Sequence, residues 1–181
     1  GNYFSSIGLN YEIYIPDRKK EGYGPTINAF EHLIEKGVKL IFTVDCGTLS
    51  FDAIKHANHK NIDVIVLDHH QSEINLPEAH SIVNPNRMDD NSNLNYLCAA
   101  GVTFMFLIAL SAKLRSINWF NVKNLDEPNL LEYLDLVTLG TICDVVPLVG
   151  LNRAIVHQGL KILKTKKNLG LKTLLDICGI E

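Results

Sequence analysis

Asp68-His69-His70 follows directly on the apolar run Val64-Ile65-Val66-Leu67. A carboxylate and two imidazoles at the end of a buried strand offer an oxygen ligand, a nitrogen ligand and a phosphate-binding cation within a small radius. The same residues also read as a turn cap with two ordinary loop histidines, and a three-residue motif alone does not separate the two. Asp45 stands just past a second run, Leu40-Ile41-Phe42-Thr43-Val44, and is followed by Cys46 and Gly47. A carboxylate there can bridge two cations while the glycine turns the chain sharply beside it; capping the helix that begins near Ser50 is the alternative. Asp144 is the single charge within Gly140-Thr141-Ile142-Cys143-Asp144-Val145-Val146-Pro147-Leu148. A buried carboxylate costs several kcal/mol unless it is paired, caps a helix or binds a metal, so Asp144 is expected in one of those roles. No P-loop or GxGxxG fingerprint competes. His32, His56, His59, His80 and His157 fall on helix-like stretches or at a strand start and read as surface or satisfied residues.

The elements around these residues alternate. Tyr11–Ile15 has strand periodicity and stops at Pro16. Leu40–Val44 and Val64–Leu67 are short, β-branched and almost wholly apolar, as strands buried on both faces of a parallel sheet are. Ser81-Ile82-Val83 reads as a shorter fourth strand. Helical stretches are expected at Thr26–Lys36 and Ser50–His59, then at Tyr96–Leu114, Asn129–Leu139, Asn152–Leu163 and Gly170–Ile177, with Arg115–Pro128 as a surface loop. The fold class is therefore α/β: an open, mainly parallel sheet flanked by helices, followed by a mostly helical C-terminal part. In such sheets ligands bind outside the carboxyl ends of the strands. That rule sends attention to Pro16–Gly24, Asp45–Gly47, Asp68–His70 and Asn84–Asn86, which are expected along one edge.

The formal charge of −3 over 181 residues excludes a surface built wholly for nucleic acid. Such a partner would be held by local positive groups, of which Arg18-Lys19-Lys20 and Lys161, Lys164, Lys166 and Lys167 are candidates; both clusters also read as solvated faces. The four cysteines are scattered without zinc-like spacing, which suits reduced thiols in the cytosol. Tyr96–Ala112 carries no charge. Gly101, Thr103 and Ser111 interrupt it, so it is expected as a helix buried on most of its faces in a globular core, with no membrane partner.

Taken together, the motifs resemble the DHH superfamily of phosphoesterases. Thr43-Val44-Asp45-Cys46-Gly47 resembles its second motif, Asp68-His69-His70 the motif that gives it its name, and Gly140–Leu148 the fourth. Tyr14-Ile15-Pro16-Asp17-Arg18 with Glu21-Gly22-Tyr23-Gly24, then Ile82-Val83-Asn84-Pro85, then Asn152-Arg153 are most similar to the RecJ branch of single-strand-specific DNA exonucleases. The resemblance implies a two-metal site, Mn2+ or Mg2+, that hydrolyses phosphodiesters of single-stranded DNA from the 5′ end in repair and recombination. It implies Asp45 as the carboxylate shared by both metals, His69 and Asp144 as further ligands, His70 on the scissile phosphate and Asp68 orienting an imidazole. Arg18 and the Gly22-Tyr23-Gly24 turn are expected to hold a DNA phosphate, the glycines opening a helix whose N–H groups face it. The family's aspartate-rich first motif would precede Gly1, and its C-terminal domain would follow. Residues 1–150 are accordingly expected to be an N-terminally truncated DHH domain and 151–181 the start of a helical connector. The metal site is then incomplete and the 181-residue stretch alone inactive. Two other functions share the motifs: a phosphodiesterase of short oligonucleotides or cyclic dinucleotides, and a non-catalytic replication scaffold.

Overall fold

The computed structural model describes residues 1–179. It divides into two compact units, Gly1–Pro128 and Asn129–Glu181. In the first, α1 (Asn2–Ser6), α2 (Arg18–Glu21) and α3 (Ile27–Glu35) precede β1 (Leu40–Val44). Then come α4 (Phe51–His59), β2 (Asp63–Leu67), β3 (Ser81–Val83), α5 (Ala99–Ser116) and α6 (Trp119–Lys123). The strands form a parallel sheet in the order β1-β2-β3, with Ile41 opposite Val64, Thr43 opposite Val66 and Leu67 opposite Val83.

The β-branched runs make this sheet because both faces are covered. Ile41, Val64 and Val66 point to one side, where Phe30 of α3 and Ala53, Ile54 and Ala57 of α4 close a fully buried core. On the other side Phe42 meets Phe4 of α1 at 5.2 Å and Phe106 of α5 at 5.7 Å between ring centroids. Tyr3 fixes α1 to α5 through a 2.6 Å hydrogen bond with Ser111. α5 is long and apolar enough to cross a membrane on length and composition. Its first turns are enclosed all round, with Ala99, Gly101, Val102 and Phe104 buried, whereas beyond Leu107 only Ser111 and Leu114 are buried and Ile108 is exposed. The expected burial on most faces is thus met in the first half of the helix and lost in the second.

Two further local expectations change. Tyr11–Ile15 forms no strand, and Ile13 and Ile15 are exposed. Alternating side chains define a face, but a strand also needs a neighbour to complete its ladder, and β1 is hydrogen-bonded only to β2 among the described residues. Within the expected loop 115–128, α6 forms between Asn118 and Asn124, both left-handed (φ 59° and 52°). Phe120 is buried, and the Trp119 indole donates to the Ile7 carbonyl at 3.2 Å. Five residues are too few for periodicity to reveal.

The second unit contains a 3-10 turn, Leu130–Tyr133, then α7 (Leu134–Cys143), α8 (Gly150–Leu163) and α9 (Leu169–Ile177). Gly159 lets α8 lie against α7, since a Cβ there would fall 1.8 Å from Thr138 Oγ1 and 2.3 Å from the Leu134 carbonyl. Ile180 and Glu181, the end of the expected connector, lie outside the described residues.

Candidate metal and phosphate site

Each strand of the sheet ends in a residue that is polar and held. After β1, Asp45 takes a left-handed backbone (φ 63°), and its N–H donates to the Leu67 carbonyl at 3.0 Å. Aspartate is among the few side chains that tolerate this region. Gly47 follows at φ 109°, packed so closely on Thr43 that no side chain fits. After β2, the Asp68 N–H donates to the Val83 carbonyl at 3.1 Å. After β3, Asn84 is buried.

Asp68 is 1% exposed and organises the turn that follows it. Its Oδ1 accepts from the backbone N–H of His69 (2.8 Å) and His70 (3.2 Å) and faces Nδ1 of His70 at 2.7 Å; Oδ2 accepts from the Thr48 N–H at 3.1 Å. Burial opposes its ionisation, but the hydrogen bonds from His70, Thr48 and His69 outweigh it and hold the carboxyl below the usual carboxylate range. The carbonyls of the same turn are held from the other side. Asn86 Nδ2 donates to His69 O at 2.5 Å, and Asn84 Nδ2 donates to His70 O at 2.8 Å and to Thr48 Oγ1 at 2.9 Å. Both N–H groups and both carbonyls of the two histidines are therefore fixed.

This frame brings Asp45, His69 and His70 together: one ligand atom from each lies within 4.8 Å of the others. Asp45 Oδ1 stands 3.3 Å from His69 Nε2. Neighbouring ligands of an octahedral cation with bonds of ~2.1 Å are about 3 Å apart, so this pair fits one ion with little movement. One carboxylate with imidazoles is a donor set that manganese accepts. Cys46 is a poor ligand and nucleophile here, because burial, then the charges of Asp68 and Asp45, push its thiol up to about 11.

Arg18 opens α2, and its guanidinium lies 5.5 Å from the ring centroid of Tyr23. The Tyr23 hydroxyl in turn donates to the Asp45 carbonyl at 2.5 Å and stands 3.1 Å from His70 Nε2. Burial and the nearby Asp45 charge push the phenol up to about 12, so it keeps its proton at neutral pH. Glu21 holds the loop from within, accepting from the Tyr14 hydroxyl at 2.6 Å and the Asp17 N–H at 2.8 Å. The expectation that Gly22 and Gly24 open a helix is corrected. Gly22 closes α2, its N–H donates to the Arg18 carbonyl at 3.3 Å, and both glycines have φ 84°; α3 is opened by Thr26. Their backbone turns the loop rather than presenting a helix N-terminus.

Asp144 stands in the second unit as the residue ending α7. It is exposed, so the expected desolvation of this carboxylate is absent. Val145 after it is left-handed (φ 58°), an uncommon state for a β-branched residue. Thr48, Asn84 and Asn86 were not among the expected site residues, although Asn84 and Asn86 occupy a loop that the strand-end rule singles out; Tyr23 lies in the turn expected to hold phosphate, but no role was expected of its side chain.

The DHH family, N-terminal domain, matches residues 2–141. The chain belongs to the DHH family. Among curated DHH proteins it is 40% identical over 174 residues to the single-stranded-DNA-specific exonuclease RecJ of Escherichia coli, covering 95% of this chain and 30% of that protein. It is 38% identical to the enzyme of the same name from Bacillus subtilis, covering 96% of this chain and 20% of that one. A crystal structure of exonuclease RecJ bound to manganese superposes with a TM-score of 0.81 at 32% identity, over 98% of this chain and 42% of the other. The chain thus spans less than a third of the length of the curated relatives it matches.

One consequence of the frame is measurable by itself. Asn84→Ala removes three hydrogen bonds and leaves the His70 carbonyl, the Thr48 hydroxyl and the Asn86 N–H without that partner. It is expected to cost about 2–3 kcal/mol of stability. It should also weaken Mn2+ binding about 10–100-fold, as losses behind a metal ligand do. Chemical denaturation and metal titration of the full-length protein measure the two. Unchanged metal affinity would mean that the His69-His70 turn holds its shape without Asn84.

Proposed function

We propose that the protein containing this chain is a metal-dependent exonuclease that hydrolyses single-stranded DNA from the 5′ end in repair and recombination. Residues 1–150 belong to its catalytic domain and 151–181 begin a connector. The observation that carries the reading is the convergence of Asp45 and His69, 3.3 Å apart, beside the Asp68–His70 pair at the carboxyl edge of the sheet. The names of the RecJ relatives and the manganese-bound neighbour support the substrate and the ion.

In this reading Asp45, His69 and Asp144 are metal ligands, joined by groups from the rest of the protein. Bound there, Mn2+ or Mg2+ ions supply the Lewis acidity for in-line attack of water on phosphorus. His70 faces the scissile phosphate, and Asp68 fixes its ring through Nδ1. Arg18 takes a neighbouring phosphate of the strand, with Gly22 and Gly24 shaping the turn that presents it. Arg18, Lys19 and Lys20 outnumber the flanking Asp17 and Glu21, which gives a chain of net charge −3 a local positive excess for a polyanion. The reaction suits the cytoplasm, where the chromosome and repair partners reside.

The test uses the purified full-length protein, Mn2+ and end-labelled oligonucleotides. Expected are release of nucleotides from the 5′ end of a single strand, at least about 10-fold slower attack on a blunt duplex, and no reaction in EDTA. Consumption of a cyclic dinucleotide with intact single strands would assign the site to small-molecule phosphodiester hydrolysis. No hydrolysis of any of these would leave a scaffold.

A further inference from the structure

Tyr23 lies on a loop 22 residues before Asp45 and 47 before His70, yet one hydroxyl group meets both. Its proton goes to the Asp45 carbonyl at 2.5 Å, which can only accept. The oxygen also rests against the His70 ring, 3.1 Å from Nε2 and 3.4 Å from Nδ1. The imidazole is thus confined by two groups, Asp68 Oδ1 at 2.7 Å from Nδ1 and the phenol oxygen lying between its nitrogens. The two rings also meet edge to face, with centroids 5.6 Å apart and planes at 65°. The carbonyl chosen by the hydroxyl belongs to the one residue of this loop that combines a carboxylate with a left-handed backbone, φ 63°. A hydrogen bond there fixes the peptide plane after Asp45 and so the direction in which its side chain leaves. Over the ring of the same phenol lies the Arg18 guanidinium, 5.5 Å from the centroid.

We propose that Tyr23 is a positioning residue for the hydrolytic site, whose hydroxyl ties the Arg18-bearing loop to the Asp45 carbonyl and the His70 imidazole. Engagement of a DNA phosphate by Arg18 and alignment of the phosphate-facing imidazole then become one event. This deepens the proposed nuclease function and rests on it. Two parts of the side chain do separable work. The ring seats Arg18 and so belongs to binding. The hydroxyl sets Asp45 and His70 and so belongs to the chemical step, since an imidazole free to swivel loses the alignment that makes attack effectively unimolecular.

The separation defines the experiment, carried out on the full-length protein with Mn2+ and single-stranded DNA. Tyr23→Phe keeps the ring and removes the hydroxyl. Its single-turnover rate is expected to fall about 10–100-fold, with KM and the dissociation constant for DNA in EDTA within about twofold of wild type. Tyr23→Leu removes the ring as well, and is expected to add a weakening of DNA binding to the same loss of rate. Thermal midpoints within a few degrees of wild type are expected for both, because Tyr23 is 59% exposed and contributes little to the core. A Tyr23→Phe rate within twofold of wild type overturns the proposal, whatever Tyr23→Leu does. A fall in rate accompanied by an equal fall in thermal stability or in DNA affinity overturns it too, since the hydroxyl would then be holding the fold or the ligand. A wild-type protein that hydrolyses no DNA under these conditions sinks the nuclease reading itself, and the role of Tyr23 with it.

Discussion

Asp45→Ala and His69→Ala, each in the full-length protein, are expected to lower Mn2+-dependent hydrolysis of single-stranded DNA on the order of 10³-fold or more. The two side chains stand 3.3 Å apart through Oδ1 and Nε2, the separation expected of neighbouring ligands on one cation. Removing either takes away a charge or a lone pair that nothing nearby replaces. Cys46, adjacent in sequence, is held as a protonated thiol by burial and by Asp68 and Asp45, and His70 is engaged at Nδ1 by Asp68. Stability should change little in Asp45→Ala, whose side chain is exposed, and fall by about 1–2 kcal/mol in His69→Ala, whose side chain is 15% exposed. The measurement is kcat with its Mn2+ dependence, beside a denaturation curve. Folded variants that turn over at a wild-type rate would show that the hydrolytic centre lies elsewhere, and excess Mn2+ restoring the rate would reduce the effect to metal affinity alone.

Gly47→Ala carries the second large effect, and it acts through the backbone. A Cβ at Gly47 would lie 2.3 Å from Thr43 Oγ1, 3.1 Å from Thr43 Cβ and 3.3 Å from Val66 Cγ1. The neighbours cannot yield cheaply, for Thr43 sits inside β1 and Val66 inside β2, both buried. The glycine's φ of 109° adds strain for any L side chain. Together these should destabilise the first unit by about 3 kcal/mol or more, measured by chemical denaturation. The double variant Thr43→Ala, Gly47→Ala divides the cost. Relief of the collision with a residual loss of about 1–2 kcal/mol is expected from the strained backbone alone. A single variant as stable as the parent would mean that the Asp45–Gly47 turn is far more plastic than its packing implies.

Much of this site was legible in the residues because a parallel sheet has a direction. Leu40–Val44 and Val64–Leu67 announce buried strands by composition, and the strand-end rule then puts Asp45 and His69 on one edge without any knowledge of coordinates. What stayed hidden depends on contacts distant in sequence. Nothing in Glu21-Gly22-Tyr23-Gly24 says that the tyrosine reaches a carbonyl 22 residues away. The same loop's glycines invite a helix-opening interpretation until Thr26 is seen to cap α3 instead. Tyr11–Ile15 misleads for a different reason: alternation reports which side chains share a face, and pairing is a property of neighbours. Asp144 misleads through its surroundings. An apolar stretch suggests burial, but Asp144 caps the end of α7, where the chain is exposed and Val145 is 86% exposed.

The hydrogen bonds gripping the two histidine residues' backbone have a common origin. Donors and acceptors alike come from positions 68 to 86, with Thr48 joining them through Asn84 and Asp68. A ribosome making this polypeptide therefore has the whole cradle in hand once Asn86 clears the exit tunnel, before any of α5 to α9 need exist. Assembly of the cradle during synthesis can run from N- to C-terminus, leaving later segments to dock onto a half-site already in register.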